Sequence, residues 1–163
     1  TTPGASFQDN GFWFQTFCLA DRIYFINKPY YMNRRDNPNS SVKSREKVYC
    51  MNEEYRFIHE FLDCYPVLKE RFIFVYSMRR FRNYFWTYSR IDRKFRREYL
   101  ERMSTELNEA VRNKELDRKY FTPLEWKKIC WIMKDPSAAR KWMALSMMAR
   151  KIKQIGKNIR RKK

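Results

Sequence analysis

Glycine and histidine are scarce in this sequence of 163 residues, which contains three glycines and one histidine. Rossmann-type and P-loop sites need glycines for tight turns and for close approach of the backbone to phosphate. We therefore expect no complete nucleotide-binding loop of those kinds. The four cysteines show no Cys-x-x-Cys spacing, and with His59 as the one histidine they form no zinc or redox motif. We expect free, reduced cysteines in the core.

Long apolar runs are also missing. No stretch approaches the roughly 20 residues that a transmembrane helix needs, and the start does not have the pattern of a signal peptide. The chain opens without Met on the loop-like residues Thr-Thr-Pro-Gly-Ala-Ser, and we predict that it is a piece of a longer protein.

Positive charge dominates what is present. The formal net charge is +18, so we expect an anionic partner: nucleic acid, anionic lipid or a phosphorylated substrate. Residues 150–163 alone carry eight Lys or Arg and no acid. The length favours one domain, and the hydrophobic content of 44% is enough for a core.

Residues 6–42 differ from the rest because they combine a carboxylate, a dense aromatic block and a polar loop. The short side chain of Asp9 can cap a helix from about residue 10 to residue 20, since it can accept hydrogen bonds from free backbone N–H groups. Aromatic and β-branched residues predict a strand at 22–26 and a second extended piece at 30–33. A loop rich in Asn, Pro and Ser follows.

Amphipathic helices are predicted throughout residues 43–163 from apolar residues at 3,4 spacing. Pro66 suits a first helical turn, Thr122 to Glu125 form a capping box, and an Asp-Pro pair at 135–136 caps a last helix. The residues predicted to face inward are Val48, Met51, Tyr55, Ile58 and Leu62; Leu68, Phe72, Val75, Met78, Phe81, Phe85 and Tyr88; Phe95, Leu100, Met103, Leu107 and Val111; Trp126, Ile129, Cys130 and Met133; and Trp142, Leu145, Met148, Ile152, Ile155 and Ile159.

One series of motifs runs through residues 3–42. In order, these are Gln8-Asp9, Phe12-Trp13-Phe14, Ile23–Ile26, Lys28-Pro29, Tyr30-Tyr31-Met32-Asn33-Arg34 and Asn39-Ser40-Ser41. The series resembles the C-terminal end of the catalytic domain of family 2 glycosyltransferases with the GT-A fold. In that family an acidic pair opens an aromatic helix, and a strand, a Pro turn, a Tyr-Tyr-x-Arg-type segment and a Ser-ending loop follow. Gln8 replaces the usual first acid.

The resemblance implies that residues 1–42 end a GT-A catalytic domain and that residues 43–163 form a basic helical C-terminal domain. The expected fold is mainly α: a C-terminal fragment of a GT-A α/β domain, with short β-strands near the N-terminus, followed by an amphipathic helical bundle. The implied metal is Mg or Mn, but the family's Asp-x-Asp motif and nucleotide-binding strands precede this segment and are not in this chain.

The implied activity is inverting sugar transfer from a nucleotide-sugar donor to a glycan or lipid-linked acceptor, in cell-surface polysaccharide synthesis. The isolated fragment is expected to be inactive. Such a reaction needs a carboxylate base, and Asp9 carries over for that role. The departing nucleotide diphosphate needs cations, and Arg34 or Arg35 can bind phosphate bidentately. The other substrate-binding candidates are Gln8, Trp13 and Ser40, with the aromatic pair Phe12 and Trp13 as a platform for a sugar ring.

Each candidate also has a simpler structural role. Asp9 can be a helix cap, the two arginines can be solvated loop charges, and Trp13 can belong to the core. Ser40 can begin the next helix. His59 lies near the apolar stripe of its helix, and we expect it to be structural.

The basic helices leave three alternatives open. Cations alternate with aromatics from Arg79 to Trp86, and the last helix pairs an apolar stripe with many Lys and Arg. This pattern suits binding to an anionic membrane surface, with the protein cytoplasmic and peripheral on the inner face of the cell membrane. It also suits a nucleic-acid-binding module or a purely structural interaction module. No helix-turn-helix, zinc-finger or RNA-recognition signature is present, which disfavours nucleic acid.

Overall fold

Helices dominate the computed structural model, which describes residues 6–32 and 47–145. The α-helices of the described part are α1 (Asp9–Leu19), α2 (Cys50–Cys64), α3 (Pro66–Arg90), α4 (Arg96–Arg112), α5 (Pro123–Lys134) and α6 (from residue 136 to the last described residue, 145). Two short 3₁₀ turns, Arg93–Phe95 and Arg118–Tyr120, flank α4. The prediction of a mainly α fold is confirmed.

The boundary between α2 and α3 is set by Pro66, the first residue of α3. Proline has no backbone N–H and its ring disfavours a helical conformation at the preceding residue. Tyr65 accordingly leaves the helical region, with φ −130° and ψ 81°. The chain turns at this single residue, so α2 and α3 pack against each other as consecutive helices.

A continuous hydrophobic core joins the helices in sequence. Helix α1 packs on α2, α2 on α3, α3 on α4, and α4 on α5. The predicted stripe of α2 is confirmed in full, because all five of its residues are buried. In α4 the stripe is confirmed at Leu100, Met103 and Leu107, whereas Val111 is 46% exposed near the end of the helix.

The buried face of α3 differs from the prediction. Of the seven predicted inward residues only Phe81 and Tyr88 are fully buried, and the other five are half-buried. The fully buried positions instead include Tyr76, Ser77 and Tyr84, because α3 packs on both α2 and α4 and so presents two faces. Tyrosine suits such a position, since its ring packs while its hydroxyl finds a partner.

The two predicted strands do not form within the described part of the chain. Residues 20–32 have neither helical nor strand structure. Their large side chains project outward: Tyr24 is 88% exposed, Phe25 80% and Met32 95%. A strand needs a neighbour to pair its backbone N–H and C=O groups, and no strand is present among residues 6–32 and 47–145 to supply one.

The four cysteines are free, as expected, but they are not all in the core. Cys18 is buried, and burial raises the pKa of its thiol to about 11. Cys64 is exposed at the end of α2. The expectation of core cysteines is therefore correct for Cys18 and wrong for Cys64.

The last helix is described only in part. Met143 is buried in it, Trp142 is half-buried, and Leu145 is 67% exposed. The predicted inward residues from Met148 onward, and the basic residues 150–163, lie outside the described residues. None of the described helices is long and apolar enough to span a bilayer.

The capping box of α5 is confirmed and generates a stability prediction. Thr122 Oγ1 accepts a hydrogen bond from the Glu125 backbone N–H at 3.3 Å, and Glu125 Oε2 accepts one from the Thr122 backbone N–H at 2.9 Å. Thr122→Ala should lower the free energy of unfolding by about 1 kcal/mol, because N-terminal N–H groups of α5 lose their acceptor. Urea denaturation followed by far-UV circular dichroism measures this.

Thr105→Ala is the matched control. Thr105 is exposed within α4, and its hydroxyl donates to the Glu101 backbone carbonyl one turn earlier. Alanine has the higher helix propensity, so this variant should be neutral or slightly stabilised. Equal destabilisation of the two variants would show that the loss at Thr122 is not a capping effect.

Candidate active site at the start of α1

A strained turn leads into α1. Phe7 has a φ of 73°, a left-handed conformation that is rare for an aromatic residue. Its carbonyl accepts hydrogen bonds from both the backbone N–H and the side-chain amide of Asn10, each at 3.0 Å. Its ring lies nearly perpendicular to the ring of Trp86, and the two ring centroids are 5.7 Å apart. Contacts on both sides therefore hold the strained residue in place, directly before the predicted acid motif.

Asp9 lies in the first turn of α1 and is exposed. The predicted capping role is wrong, because Gln8 occupies the N-cap position and no side-chain cap hydrogen bond forms. Asp9 is instead the first residue of the helix itself. Its carboxylate accepts a long hydrogen bond of 3.4 Å from the side-chain amide of Asn10. The carboxylate of Asp9 therefore remains open to solvent.

A second carboxyl group lies close to Asp9 and comes from α2. Glu54 is only 7% exposed, and burial followed by the negative charge of Asp9 raises its pKa. The backbone of α1 approaches it closely at Gly11, where an added Cβ would lie 3.3 Å from Glu54 Oε2. Glycine at this position therefore lets the buried acid fit beneath the first turn of α1.

Glu54 was missed by the sequence analysis, although a signal was present. Met51, Glu54 and Ile58 follow the same 3,4 spacing as the buried stripe of α2. An acid on a buried stripe is uncommon, because burying a charge without compensation is costly. That spacing could have identified Glu54 as a residue of special interest.

Trp13 is half-buried on α1, with one face covered. The guanidinium of Arg79 lies over the indole ring at 4.8 Å from its centroid. The rings of Phe14 and Phe17 form T-shaped contacts with Trp13, with ring centroids 5.8 and 5.9 Å from that of Trp13. Phe12, by contrast, is 75% exposed and has the more open aromatic surface.

The site residues predicted from the sequence divide between α1 and a segment that lies outside the described part of the chain. Arg34, Arg35 and Ser40 lie outside the described residues, whereas Gln8, Asp9 and Trp13 share the first turns of α1. Within residues 6–32 and 47–145, no group of three or more His, Cys, Asp or Glu side chains could hold a metal ion. The resemblance places the metal ligands outside this chain.

A polar cavity of about 380 Å³ lies elsewhere, among α2, α3 and α4. His59 borders it and stands between two acids, with Nε2 at 2.9 Å from Glu115 Oε1 and Nδ1 at 3.0 Å from Asp63 Oδ2. Burial acts to raise the pKa of Glu115, but hydrogen bonds from His59 and Lys69 outweigh it and the pKa is lowered. These contacts with Glu115 and Asp63 agree with the structural role expected for His59.

The residues that line this cavity form a pattern in the sequence, although they do not belong to the predicted apolar stripes. Polar residues recur at helical spacing on each of the three helices, one turn apart. They line the cavity as follows: Asn52, Arg56 and His59 on α2; Tyr76, Arg80 and Tyr84 on α3; Arg102, Glu106 and Glu109 on α4.

Several side chains of the cation–aromatic run of α3, from Arg79 to Trp86, are buried or paired within the fold. Phe81 and Tyr84 are 2% and 3% exposed. Arg82 donates two hydrogen bonds to the carboxylate of Glu125, at 2.8 and 3.2 Å. Trp86 is the more accessible ring, at 37% exposed. Phe81 and Tyr84 therefore cannot serve as platforms for stacked bases or as anchors in a membrane.

No protein-family model, curated protein or solved structure matches this chain.

The two neighbouring glutamates of α2 generate opposite predictions. Because the pKa of Glu54 is raised, its ionised form is disfavoured in the fold and reduces stability at neutral pH. Glu54→Gln should therefore raise the melting temperature at about pH 7. The gain should shrink as the pH falls through the raised pKa of Glu54, and it should be absent below the ordinary value of 4.5, where the wild-type carboxyl is neutral in both folded and unfolded chains. Differential scanning calorimetry across this range measures it.

Glu53→Gln is the control of opposite sign. The hydrogen bond from Arg56 is the main reason why the pKa of Glu53 is lowered. Its carboxylate therefore stabilises the fold above the unfolded pKa, and that stabilisation is lost as the pH falls. Replacing it should lower the melting temperature at neutral pH. A similar decrease for Glu54→Gln would contradict the description of Glu54 as a disfavoured buried acid.

Proposed function

We propose that this chain forms the C-terminal part of a family 2 glycosyltransferase with the GT-A fold, and that Asp9 is its catalytic base. The observation that carries the proposal is the exposed carboxylate of Asp9 in the first turn of α1, which does not cap the helix and lies two residues after the strained residue Phe7. Strain of this kind costs about 1–3 kcal/mol and tends to persist where geometry serves function. The motif order in residues 3–42 supplies the family.

In the proposed reaction, an acceptor hydroxyl oxygen attacks the anomeric carbon of the nucleotide-sugar donor. The bond from that carbon to the nucleotide diphosphate breaks with inversion, and Asp9 takes the hydroxyl proton. Arg34 or Arg35 neutralises negative charge on the leaving group. Gln8, Trp13 and Ser40 contribute to substrate binding. Mg or Mn, held by residues outside this chain, would act on the diphosphate.

The exposed apolar segment at residues 20–32 also supports the proposal. Its aromatic and aliphatic side chains are largely uncovered, with Tyr31 84% and Met32 95% exposed. Contiguous exposed apolar surface of this kind is typical of an interaction site. We propose that residues 22–26 and 30–33 join the GT-A sheet when the preceding part of the catalytic domain is present.

The same proposal includes the acceptor of the sugar and the membrane surface at which the enzyme would work. A glycan or lipid-linked acceptor fits an enzyme of cell-surface polysaccharide synthesis, located in the cytoplasm at the inner face of the cell membrane. The basic residues 150–163 would bind anionic lipid there, at about 1 kcal/mol for each cation near the surface. A nucleic-acid-binding role receives less support, because two rings of the cation–aromatic run are buried.

Asp9→Asn tests the base directly. In the longer enzyme that carries this segment, nucleotide-sugar binding should stay within about twofold, while transfer should fall by about 10²- to 10⁴-fold. The asparagine keeps the size of the side chain but cannot accept the proton. Isothermal titration with the donor and an assay of released nucleotide diphosphate separate the two effects.

Asp21→Asn is the matched control. Asp21 is exposed and lies beyond the end of α1, so the same loss of charge should leave transfer unchanged. Wild-type turnover in Asp9→Asn would end the assignment of Asp9 as the base. Equal losses in both variants would attribute the effect to general charge rather than to the acid at the start of α1.

The chain of 163 residues by itself should show no sugar transfer, because the proposal places donor and metal binding outside it. The measurement is product formation with nucleotide sugars and Mn²⁺, at concentrations that saturate related reactions. Detectable transfer by the isolated chain would contradict this division of the active site.

A further inference from the structure

The polar cavity among α2, α3 and α4 has the size of a small-molecule site. Its volume of about 380 Å³ falls in the range of ligand pockets. None of the described residues that line it belongs to α1, so it is separate from the site around Asp9. What it could bind depends on which of its polar groups still have free hydrogen-bonding capacity.

Glu106, in the wall of the cavity, already has its partners. Its Oε1 accepts hydrogen bonds from Arg102 Nε at 2.8 Å and from Asn52 Nδ2 at 3.3 Å. Its Oε2 accepts one from the Tyr84 hydroxyl at 2.7 Å. Three donors from three helices therefore satisfy this carboxylate, and none of these contacts comes from Arg80.

Arg80 has capacity left over. Its two hydrogen bonds, to the Tyr76 hydroxyl and to the Glu106 backbone carbonyl, are both long at 3.4 Å. No described carboxylate forms an ion pair with it, although it lines the cavity in a half-buried position. A guanidinium has five N–H donors in a planar fork that matches phosphate. Arg80 is thus arranged to bind an anionic group.

A second group in the wall is also unsatisfied. Asn52 is 2% exposed, and its Oδ1 has no hydrogen-bond partner among the described residues. Buried acceptors are normally paired, and this oxygen is itself covered, so a donor in the cavity could reach it only if the Asn52 side chain turned towards the cavity. A ligand hydroxyl, which donates, would satisfy it.

The charges around the cavity limit the ligand further. Three arginines and four glutamates line it, so an anionic ligand would meet repulsion from the glutamates unless its charge is confined to one end, at Arg80. Glu60 and Glu109 are exposed lining residues whose oxygens can accept from hydroxyl groups. A ligand with one anionic group and several hydroxyls matches this distribution.

We infer that this cavity is a binding site for a sugar phosphate, with the phosphate on Arg80 and sugar hydroxyls on Asn52, Glu60 and Glu109. The inference goes beyond the proposed transferase role and does not depend on it. Its site shares no residue with the proposed machinery at the start of α1, so either can fail without the other.

Isothermal titration of the full chain with three probes tests the site. Glucose 1-phosphate should bind with a Kd of about 1 mM or tighter, and inorganic phosphate and glucose each about tenfold more weakly. Absence of binding by glucose 1-phosphate at about 10 mM would overturn the inference. Equal binding of inorganic phosphate would also overturn it, because the sugar would then contribute nothing.

Arg80→Gln should weaken glucose 1-phosphate binding at least about tenfold, since the phosphate loses its guanidinium. Arg97→Gln is the matched control, because Arg97 is 77% exposed on α4 and pairs with Glu101 outside the cavity. Circular dichroism and the melting temperature establish that each variant is folded. Wild-type affinity in a folded Arg80→Gln would refute the anionic subsite.

Glu109→Lys provides a test that does not disturb a buried group. Glu109 is exposed at the edge of the cavity, so the added cation should tighten binding of inorganic phosphate severalfold. Glu101→Lys makes the same charge change on the exposed side of α4, away from the cavity, and should have little effect. Equal changes in the two variants would show that phosphate responds to overall charge and not to this site.

Discussion

The hydrogen bonding of one carboxylate, Glu106, fixes how the three longest helices of the described chain sit together. A half-buried charge must be paired and hydrogen-bonded, or the fold loses several kcal/mol. Asn52 from α2, Tyr84 from α3 and Arg102 from α4 each donate to it. A shift of either α2 or α3 along its axis by one residue would break its donor's contact. The polar cavity exists because these helices meet through hydrogen bonds here rather than through interdigitated apolar side chains.

The start of α1 depends on the same framework. Asn83 of α3 donates to the side-chain oxygen of Asn10 at 3.0 Å and to the Tyr55 hydroxyl at 2.8 Å, which joins α1, α2 and α3 at one point. Gly11 and Glu54 then set how closely α1 approaches α2. The helix start that carries Asp9 is therefore hydrogen-bonded to α2 and α3, a placement that would suit the base that we propose. This connection relates the helical bundle to the proposed chemistry.

Local patterns predicted much of this fold, and non-local features account for the differences. Leu62 and Met103 lie on apolar stripes at helical spacing, and both are buried as expected. The strand at 22–26 was not observed, because strand formation depends on a neighbour that sequence patterns cannot supply. Asp9 was identified through the resemblance, whereas Glu54 comes close to Asp9 only when α1 packs on α2. The polar cavity was missed because its residues are hydrophilic, and stripes of hydrophobic residues were the signal used.

Glu125 gives the start of α5 an acid-sensitive attachment. Its carboxylate accepts from the Thr122 backbone in the capping box and from the guanidinium of Arg82 on α3. The hydrogen bond from Arg82 is the largest cause of a pKa lowered to about 2. The stabilisation is therefore complete above the ordinary value of 4.5 and disappears as the pH falls towards about 2. Since both contacts use the same carboxylate, one proton weakens them together, and strong acid would loosen the start of α5 and its ion pair with α3 at the same pH.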